Sequence, residues 1–468
     1  MKKYFVLLFL FLFFNSFILA QELSTSSEDQ ISISLTVYNL NIGLIKEIRQ
    51  LKLPKGEFDL KFEDVPYQIN PVTVHIKSIT SPNAIFVLEQ NYEYDLMSPS
   101  KLLDKYIGKE LFLIHTDPKT KEEIREKAVL LSTNEGNIFK MDDRILIGHP
   151  GRIELPKLPE NLISRPTLIW RLKNNFDGTQ KIEASYLSNG INWKADYVLL
   201  LNKDDTKGDL TGWVTLDNRS GAGYKNASLK LIAGEIHRVE EEVVRGRELY
   251  RAEAKAVPQF EEKEFFEYHI YILERKTTIK NNQTKQITLL SSADIPLRKR
   301  FIFFGKNYYF LSSYSDFEKS EKVGVYIEIK NSKENNLGIA LPKGIVRVYK
   351  EDHRGEIQFV GEDRIDHTPK DEKFKLKMGE AFDVVASRKQ MDFKKIARNI
   401  YESSWEISIR NHKEEDVVVE VLEPMSGDWE VVEKNFEFKK EDARTILFSV
   451  PVKKNSESIL KYRVRVKY

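Results

Sequence analysis

The chain has 468 residues, with 73 Lys and Arg against 71 Asp and Glu, and it contains no cysteine. Charges of both signs are interspersed, so the sequence carries no electrostatic footprint for nucleic acid. The lack of cysteine excludes disulfides, thiol nucleophiles, zinc–thiolate sites and a lipoprotein acyl-cysteine.

The first twenty residues have the order of a secretory leader. Lys2 and Lys3 precede an apolar run from Tyr4 to Phe14, Asn15-Ser16 interrupts it, and Phe17 to Ala20 lead into a polar stretch from Gln21. Eleven apolar residues before the polar pair fall short of the roughly 20 that a membrane-spanning helix needs. We therefore expect a signal peptide over 1–20, cut at Ala20/Gln21, although Ile18 stands where a small residue is preferred. Its removal takes Lys2 and Lys3, so 73 less two leaves 71 bases against 71 acids. The expected product is exported to the periplasm or cell envelope and has no transmembrane helix.

Period-two alternation dominates the rest of the chain. Ile31 to Tyr38, Glu57 to Phe62, Val72 to Ile76, Val325 to Ile329, Trp405 to Ile409, Val417 to Val421 and Tyr462 to Tyr468 each set apolar residues on one face. Such segments are half-buried strands. Asp177-Gly178, Pro342-Lys343-Gly344 and Ser426-Gly427-Asp428 supply the turns. Two short helices are expected, Ser100 to Ile107 capped by Ser98 or Ser100, and Phe393 to Ile400.

These elements predict an all-β protein of several β-sandwich-like domains. An N-terminal β segment spans 21–100. A small SH3-like β-barrel at 101–155 is inserted into it, with strands at Leu111 to His115, Lys127 to Ser132, Asn137 to Lys140 and Ile145 to Ile147. A central β domain covers 156–320, containing a charged helix or linker at 235–263 that Pro258 ends. Residues 321–468 read as an immunoglobulin-like sandwich.

A resemblance emerges at Ile191-Asn-Trp193-Lys-Ala-Asp-Tyr197, followed by Leu210 to Gly221 and Asn226 to Gly234. It continues through Phe266 to Tyr271, Leu341 to Tyr349 and Phe359 to Pro369, and the strands from Thr36 to Gly56 fit it as well. Together these stretches resemble the bacterial family built on domain of unknown function 4139 (DUF4139). Mucoidy-inhibitor-type proteins share a related domain pair, but this chain lacks their long coiled-coil segment. The resemblance implies an exported β-rich architecture and brings no catalytic residues with it. Read from the residues alone, Trp193 and Tyr197 share a strand face with Ala195 and fill a core. Asn218, Gly221 and Gly223 are turn residues, and Gly344 and Gly361 are expected to flank strands at positive φ.

The common catalytic signatures are missing: no nucleophile elbow, phosphate loop, dinucleotide fingerprint or zinc-helix motif occurs. The best constellation is Glu351-Asp352-His353 with Glu362-Asp363-Arg364-Ile365-Asp366-His367. A hairpin through His353-Arg-Gly355 would bring its two ends together. The candidate catalytic or cation-binding residues are then Asp352, Asp363, Asp366 and His367. A solvated strand face with Arg364 paired across it uses the same residues and is favoured. His115, His149 and His269 read as strand or turn histidines. Arg298-Lys-Arg300 before Phe301 to Phe304 reads as the edge of a buried strand rather than a base-stacking patch, and Phe301 to Phe304 with Tyr308 to Phe310 beyond Gly305 reads as a fully buried strand rather than a partner-facing patch.

The functional expectation is a non-enzymatic binding or structural β-scaffold that contacts an envelope protein or surface polysaccharide, with no metal or cofactor. Two alternatives compete with it. One is a metal-assisted hydrolase using the 351–367 acids and histidine. The other is an integral outer-membrane β-barrel, suggested by the terminal alternation Tyr462, Val464, Val466, Tyr468.

Overall fold

The computed structural model describes residues 22–93, 97–149, 151–159, 165–234, 260–265, 268–314 and 318–468. The expected signal peptide and residues 235–259 of the charged segment lie outside them. The protein is almost entirely β-structure, as the alternation requires.

The N-terminal strands are β1 (Glu22–Thr25), β2 (Gln30–Tyr38), β3 (Ile42–Leu53), β4 (Gly56–Glu63), β5 (His75–Ser78) and β6 (Ile85–Glu93). The insertion comes after them, with α1 (Pro99–Asp104), β7 (Glu110–Thr116), β8 (Glu123–Ser132), β9 (Ile138–Met141), β10 (Arg144–Ile147) and β11 (Arg152–Glu154). Next come β12 (Thr167–Asn174), β13 (Gly178–Asn189), β14 (Ile191–Leu201), β15 (Lys207–Asn218), β16 (Tyr224–Ala233), β17 (Phe260–Phe265), β18 (Tyr268–Leu273) and β19 (Thr277–Ile279).

Two sheets make the N-terminal sandwich. One is four-stranded, in the order β1-β4-β12-β6. The other runs β17-β18-β16-β2-β3-β13-β5, with β19 beside β16. Leu35, Val37 and Ile45 from the larger sheet meet Phe58, Leu60, Phe62, Trp170 and Leu172 from the smaller, all buried. Each fully buried side chain of this kind contributes about 1.5–3 kcal/mol, so a wide core serves where no disulfide is present. Ser98 caps α1 by accepting from the Lys101 N–H. The predicted 72–76 strand is shorter than its alternation suggests. Pro71 starts a 3-10 turn through Thr73, which leaves Val72 exposed, and β5 begins only at His75.

The insertion is a single antiparallel sheet in the order β10-β9-β8-β7-β11, over a small core of Leu111, Leu113, Leu130 and Phe139. Among the described residues β10 and β11 are not paired to each other, so the barrel expected here does not close.

The remaining strands are β20 (Gln283–Phe304), β21 (Glu318–Lys330), β22 (Gly344–Glu351), β23 (Ile357–Ile365), β24 (Lys373–Ala397), β25 (Ile400–Asn411), β26 (Val417–Pro424), β27 (Asp428–Lys434), β28 (Phe438–Asp442), β29 (Thr445–Val452) and β30 (Ser456–Lys467). A continuous sheet runs β23-β22-β14-β15-β20-β21-β24-β25-β30-β27. Its first half curls until β23 meets β24, where the Lys377 N–H donates to Asp363 Oδ2 at 2.7 Å, but no ladder among the described residues seals the seam. Long strands carry the chain onward: β20 pairs with β15 along its first part and with β21 and β26 along its last. The C-terminal sandwich sets β24, β25 and β30 against β26 and β29 over buried Trp405, Ile407, Val419, Phe448 and Tyr462.

Several expectations change on contact with this framework. Phe393 to Ile400 is not a helix. It ends β24, turns at Asn399 (φ +65°) and begins β25, and Phe393 stacks on Tyr401 across the hairpin. Tyr308 to Phe310 form a 3-10 turn rather than a strand, with Tyr309 and Phe310 buried. Tyr462, Val464 and Val466 face the sandwich core, so the side that a lipid-facing barrel strand would expose is covered by protein. The sheets among the described residues form no closed barrel. No helix among the described residues is long and apolar enough to cross a membrane.

Inside the C-terminal sandwich lies a buried ion pair. Arg388 on β24 meets Glu423 on β26 at 2.6 Å, and both side chains are removed from solvent. The guanidinium sits 5.1 Å from the rings of Phe303 and Tyr309 and 5.7 Å from that of Trp405. Arg388 Nε and Nη2 find no hydrogen-bond acceptor among the described residues. A Cβ at Gly305 would stand 1.9 Å from Glu423 Oε2, so only glycine leaves room for this carboxylate.

Candidate functional site

The predicted 345–365 hairpin forms as β22 and β23, but it holds the acids apart. Asp352 lies in the turn, where Oδ1 accepts from the backbone of Arg354 (2.8 Å) and Glu356 (3.0 Å). Those hydrogen bonds hold its carboxyl below the usual range. Glu351 pairs with Ile357, whereas Asp363 pairs with Val346 at the other end. The six steps along the strand from 357 to 363 place them about 20 Å apart at ~3.4 Å per residue. Asp363 spends both oxygens on backbone N–H groups, those of Arg364 and Lys377. The Asp366 carbonyl accepts from the Thr368 hydroxyl, and His367 Nδ1 accepts from the Lys343 N–H at 3.3 Å. Asp363, Asp366 and His367 thus remain at the base of the hairpin, and Asp352 is at its tip. Glu362 pairs with Arg347 at 3.2 Å. Among the described residues no group of three or more His, Asp and Glu is arranged to hold a metal ion.

Other singled-out residues have local partners. His115 and His149 meet edge-on with ring centroids 5.7 Å apart, and His269 Nδ1 lies 2.7 Å from Glu262. The basic block is neutralised within the chain: Arg298 and Arg300 pair with Glu420, Arg300 also with Glu328, and Lys299 with Asp205. Residues carrying the family resemblance are packing residues. Trp193 Nε1 donates to the Ile232 carbonyl, and the Tyr197 hydroxyl donates to that of Pro342. Gly344 and Gly361 are not at positive φ. They permit close approach instead: a Cβ on Gly344 would lie 2.3 Å from the Ala195 carbonyl oxygen, and one on Gly361 3.1 Å from that of Met378.

The described residues form a polar depression of about 420 Å³, lined by residues of the larger N-terminal sheet and by the loops that flank β1, β4, β12 and β16. That volume is in the range of about 300–1,000 Å³ common for small-molecule sites. Its floor is Glu47 and Arg49, which occupy inward positions of β3 between buried Ile45 and Leu51. Arg49 Nε donates to Glu47 Oε2 at 3.1 Å, Nη1 to the Thr25 carbonyl at 2.9 Å and Nη2 to that of Glu63 at 2.8 Å. Its guanidinium carbon also lies 3.5 Å from the centroid of the Phe62 ring. The Tyr186 hydroxyl donates to Glu47 Oε1 at 2.8 Å. Burial, reinforced by the Glu47 charge, pushes the Tyr186 phenol well up, so it stays a donor.

The rim is built from loops. Asp64, at φ +65°, accepts from the Ser27 N–H (2.9 Å) and hydroxyl (2.8 Å) and from Arg165 Nη1 (3.0 Å). Burial acts to raise the Asp64 carboxyl, but the Ser27 and Arg165 contacts overcome it and hold it below the usual range. Tyr67 packs its ring on Gly221 and is about half exposed. The Gln30 side chain lines the depression and makes no hydrogen bond among the described residues. Two carboxylates balance two guanidiniums, and tyrosine rings 67, 186 and 224 complete the lining.

This arrangement is suited to holding a neutral polar ligand rather than to proton transfer. Asp64 is kept ionised, Glu47 is locked by Arg49 and Tyr186, and the free capacity belongs to Gln30, the remaining Arg165 nitrogens and the Tyr67 ring face. Sequence alternation did not point here. The available signal was the phase of β3: Ile45, Leu51 and Leu53 fix the inward face, and Glu47 and Arg49 break it. No family model matches the chain, and no curated protein matches it.

Proposed function

We propose that the chain is an exported protein of the cell envelope, a non-enzymatic β-scaffold that binds a neutral stretch of surface polysaccharide in the N-terminal depression. The observation that carries this is the lining itself: balanced charge, tyrosine rings, the Gln30 amide, and Arg165 donors left over after Nη1 bonds to Asp64. Sugar hydroxyls are matched by such donors and acceptors, while a tyrosine ring offers an apolar face with a polar tip. Export rests on the leader over 1–20, and the likeness to the DUF4139 family, with an immunoglobulin-like C-terminal sandwich, supports the same compartment.

Calorimetric titration with soluble oligosaccharides from envelope polysaccharide tests the binding. The wild-type chain should bind a neutral oligosaccharide, and Tyr67→Ala and Arg165→Ala should each weaken it at least ten-fold without changing the thermal midpoint by more than a few degrees. Equal affinity in all three proteins would refute the site. Fractionation tests export: the expected mature chain begins at Gln21 outside the cytosol, and an uncut chain among cytosolic proteins would contradict it.

A further inference from the structure

A second surface stands apart from the depression. Strand β6 closes the four-stranded sheet, and among the described residues it is paired on one side only, with β12. Its register places Val87 opposite buried Leu172 and Gln90 opposite buried Trp170, so these positions point toward the core. Yet Phe86, Val87 and Leu88 are 48%, 45% and 48% exposed. An inward-facing valine left half wet means that the sandwich is short of cover along this edge.

Edge strands of this length are normally blunted with lysine, proline or inward charge. β6 carries none of these in Ile85-Phe-Val-Leu-Glu-Gln-Asn-Tyr-Glu93, although a bulge falls between its Val87 and Glu89 pairings. Its charges are Glu89 and Glu93, neither of which forms an ion pair with a described residue. The nearest cation across the ladder, Arg171, is turned to Asp59 at 3.5 Å and Glu57 at 3.9 Å. Other exposed apolar edges differ. β10, with Ile145 and Ile147, has only four residues, and β23 is braced by Asp363 against β24.

We propose that β6 is a docking edge for an extended segment of another protein that alternates apolar and basic residues. The backbone of β6 supplies the ladder, Val87 on the inward face receives apolar side chains, and Glu89 and Glu93 on the outward face receive lysine or arginine. A second copy of this chain fits less well, because antiparallel self-pairing about the strand centre opposes Glu89 to Glu89. Like charges directly opposed are destabilising.

The test uses the full mature chain and two synthetic nine-residue peptides with blocked ends, one alternating valine and lysine and one alternating valine and glutamate. Fluorescence anisotropy should show the lysine peptide binding at least ten-fold more tightly than the glutamate peptide. Glu89→Lys, at an exposed position that leaves the core intact, should reverse that order, and Val87→Asn, on the face that receives the valines, should weaken both peptides. Binding of neither peptide, equal binding of both, or an unchanged order in Glu89→Lys would overturn the proposal. So would sedimentation showing a dimer that Phe86→Lys dissolves, which would assign the edge to a second copy. None of these readouts depends on the oligosaccharide site, so either result stands whether or not the depression binds sugar.

Discussion

The two sandwiches each bury an arginine–glutamate pair, and they treat it differently. In the N-terminal unit, Glu47 and Arg49 come from one strand, and their hydrogen bonds reach Tyr186, Thr25 and Glu63. In the C-terminal unit, Arg388 and Glu423 come from different strands and are sealed among Phe303, Tyr309 and Trp405, with guanidinium nitrogens left over. The first pair opens onto a depression, and the second joins two sheets where no water reaches. A buried ion pair is therefore not in itself a site. What distinguishes the N-terminal one is polar capacity at a rim that solvent can enter.

The largest effect is expected in the sealed pair. Glu423→Leu leaves the Arg388 charge buried without a counterion and should destabilise the chain by about 3–5 kcal/mol. Adding Arg388→Met should recover most of that loss, because a packed apolar pair replaces the ions. Chemical denaturation followed by tryptophan fluorescence reads both. A double variant as unstable as the single would show that the ions themselves hold the sheets together. Glu47→Leu should cost less, about 1–3 kcal/mol, since Arg49 keeps two carbonyl acceptors and the Phe62 ring beside a wet depression.

Acid should separate the two regions further. The folded-state pKa of Asp64 is lowered, so its contribution is present above the ordinary carboxyl range and lost as pH falls through the folded value. Burial raises that of Glu423, so its contribution has the opposite sign: present below the ordinary value and lost as pH rises through the folded one. Asp64→Asn should accordingly flatten the loss of stability below about pH 4, near the ordinary carboxyl pKa, as measured by thermal melts across pH. An unchanged acid limb would show that Asp64 adds nothing to acid stability. The smallest effect belongs to Asp352→Ala, which should speed amide exchange at Arg354 and Glu356 in the hairpin turn while leaving the global midpoint in place.

The sequence showed far more of the fold than of the site. Alternation at Ile33, Leu35 and Val37, at Trp405 to Ile409 and at Tyr462 to Val466 found true inward faces, because a one-residue shift would turn the whole set to water. It failed at Phe393 to Ile400, where aromatic and basic residues fit either period and only pairing across Asn399 decides. The hairpin acids were found as residues, but register set Asp352 and Asp363 at opposite ends. The depression was harder to see. Ser27, Asp64, Arg165 and Gly221 are far apart in the chain and meet only once it has folded. Glu47 and Arg49 left the one local trace, as two charges in an apolar phase.

Amide hydrogen exchange with and without a bound neutral oligosaccharide tests most directly whether the N-terminal depression is the binding site. Binding there should add protection at Ser27, Tyr67 and Gly221, with no change along Asp352 to His367. Protection confined to that hairpin, or dependent on an added divalent cation, would contradict it.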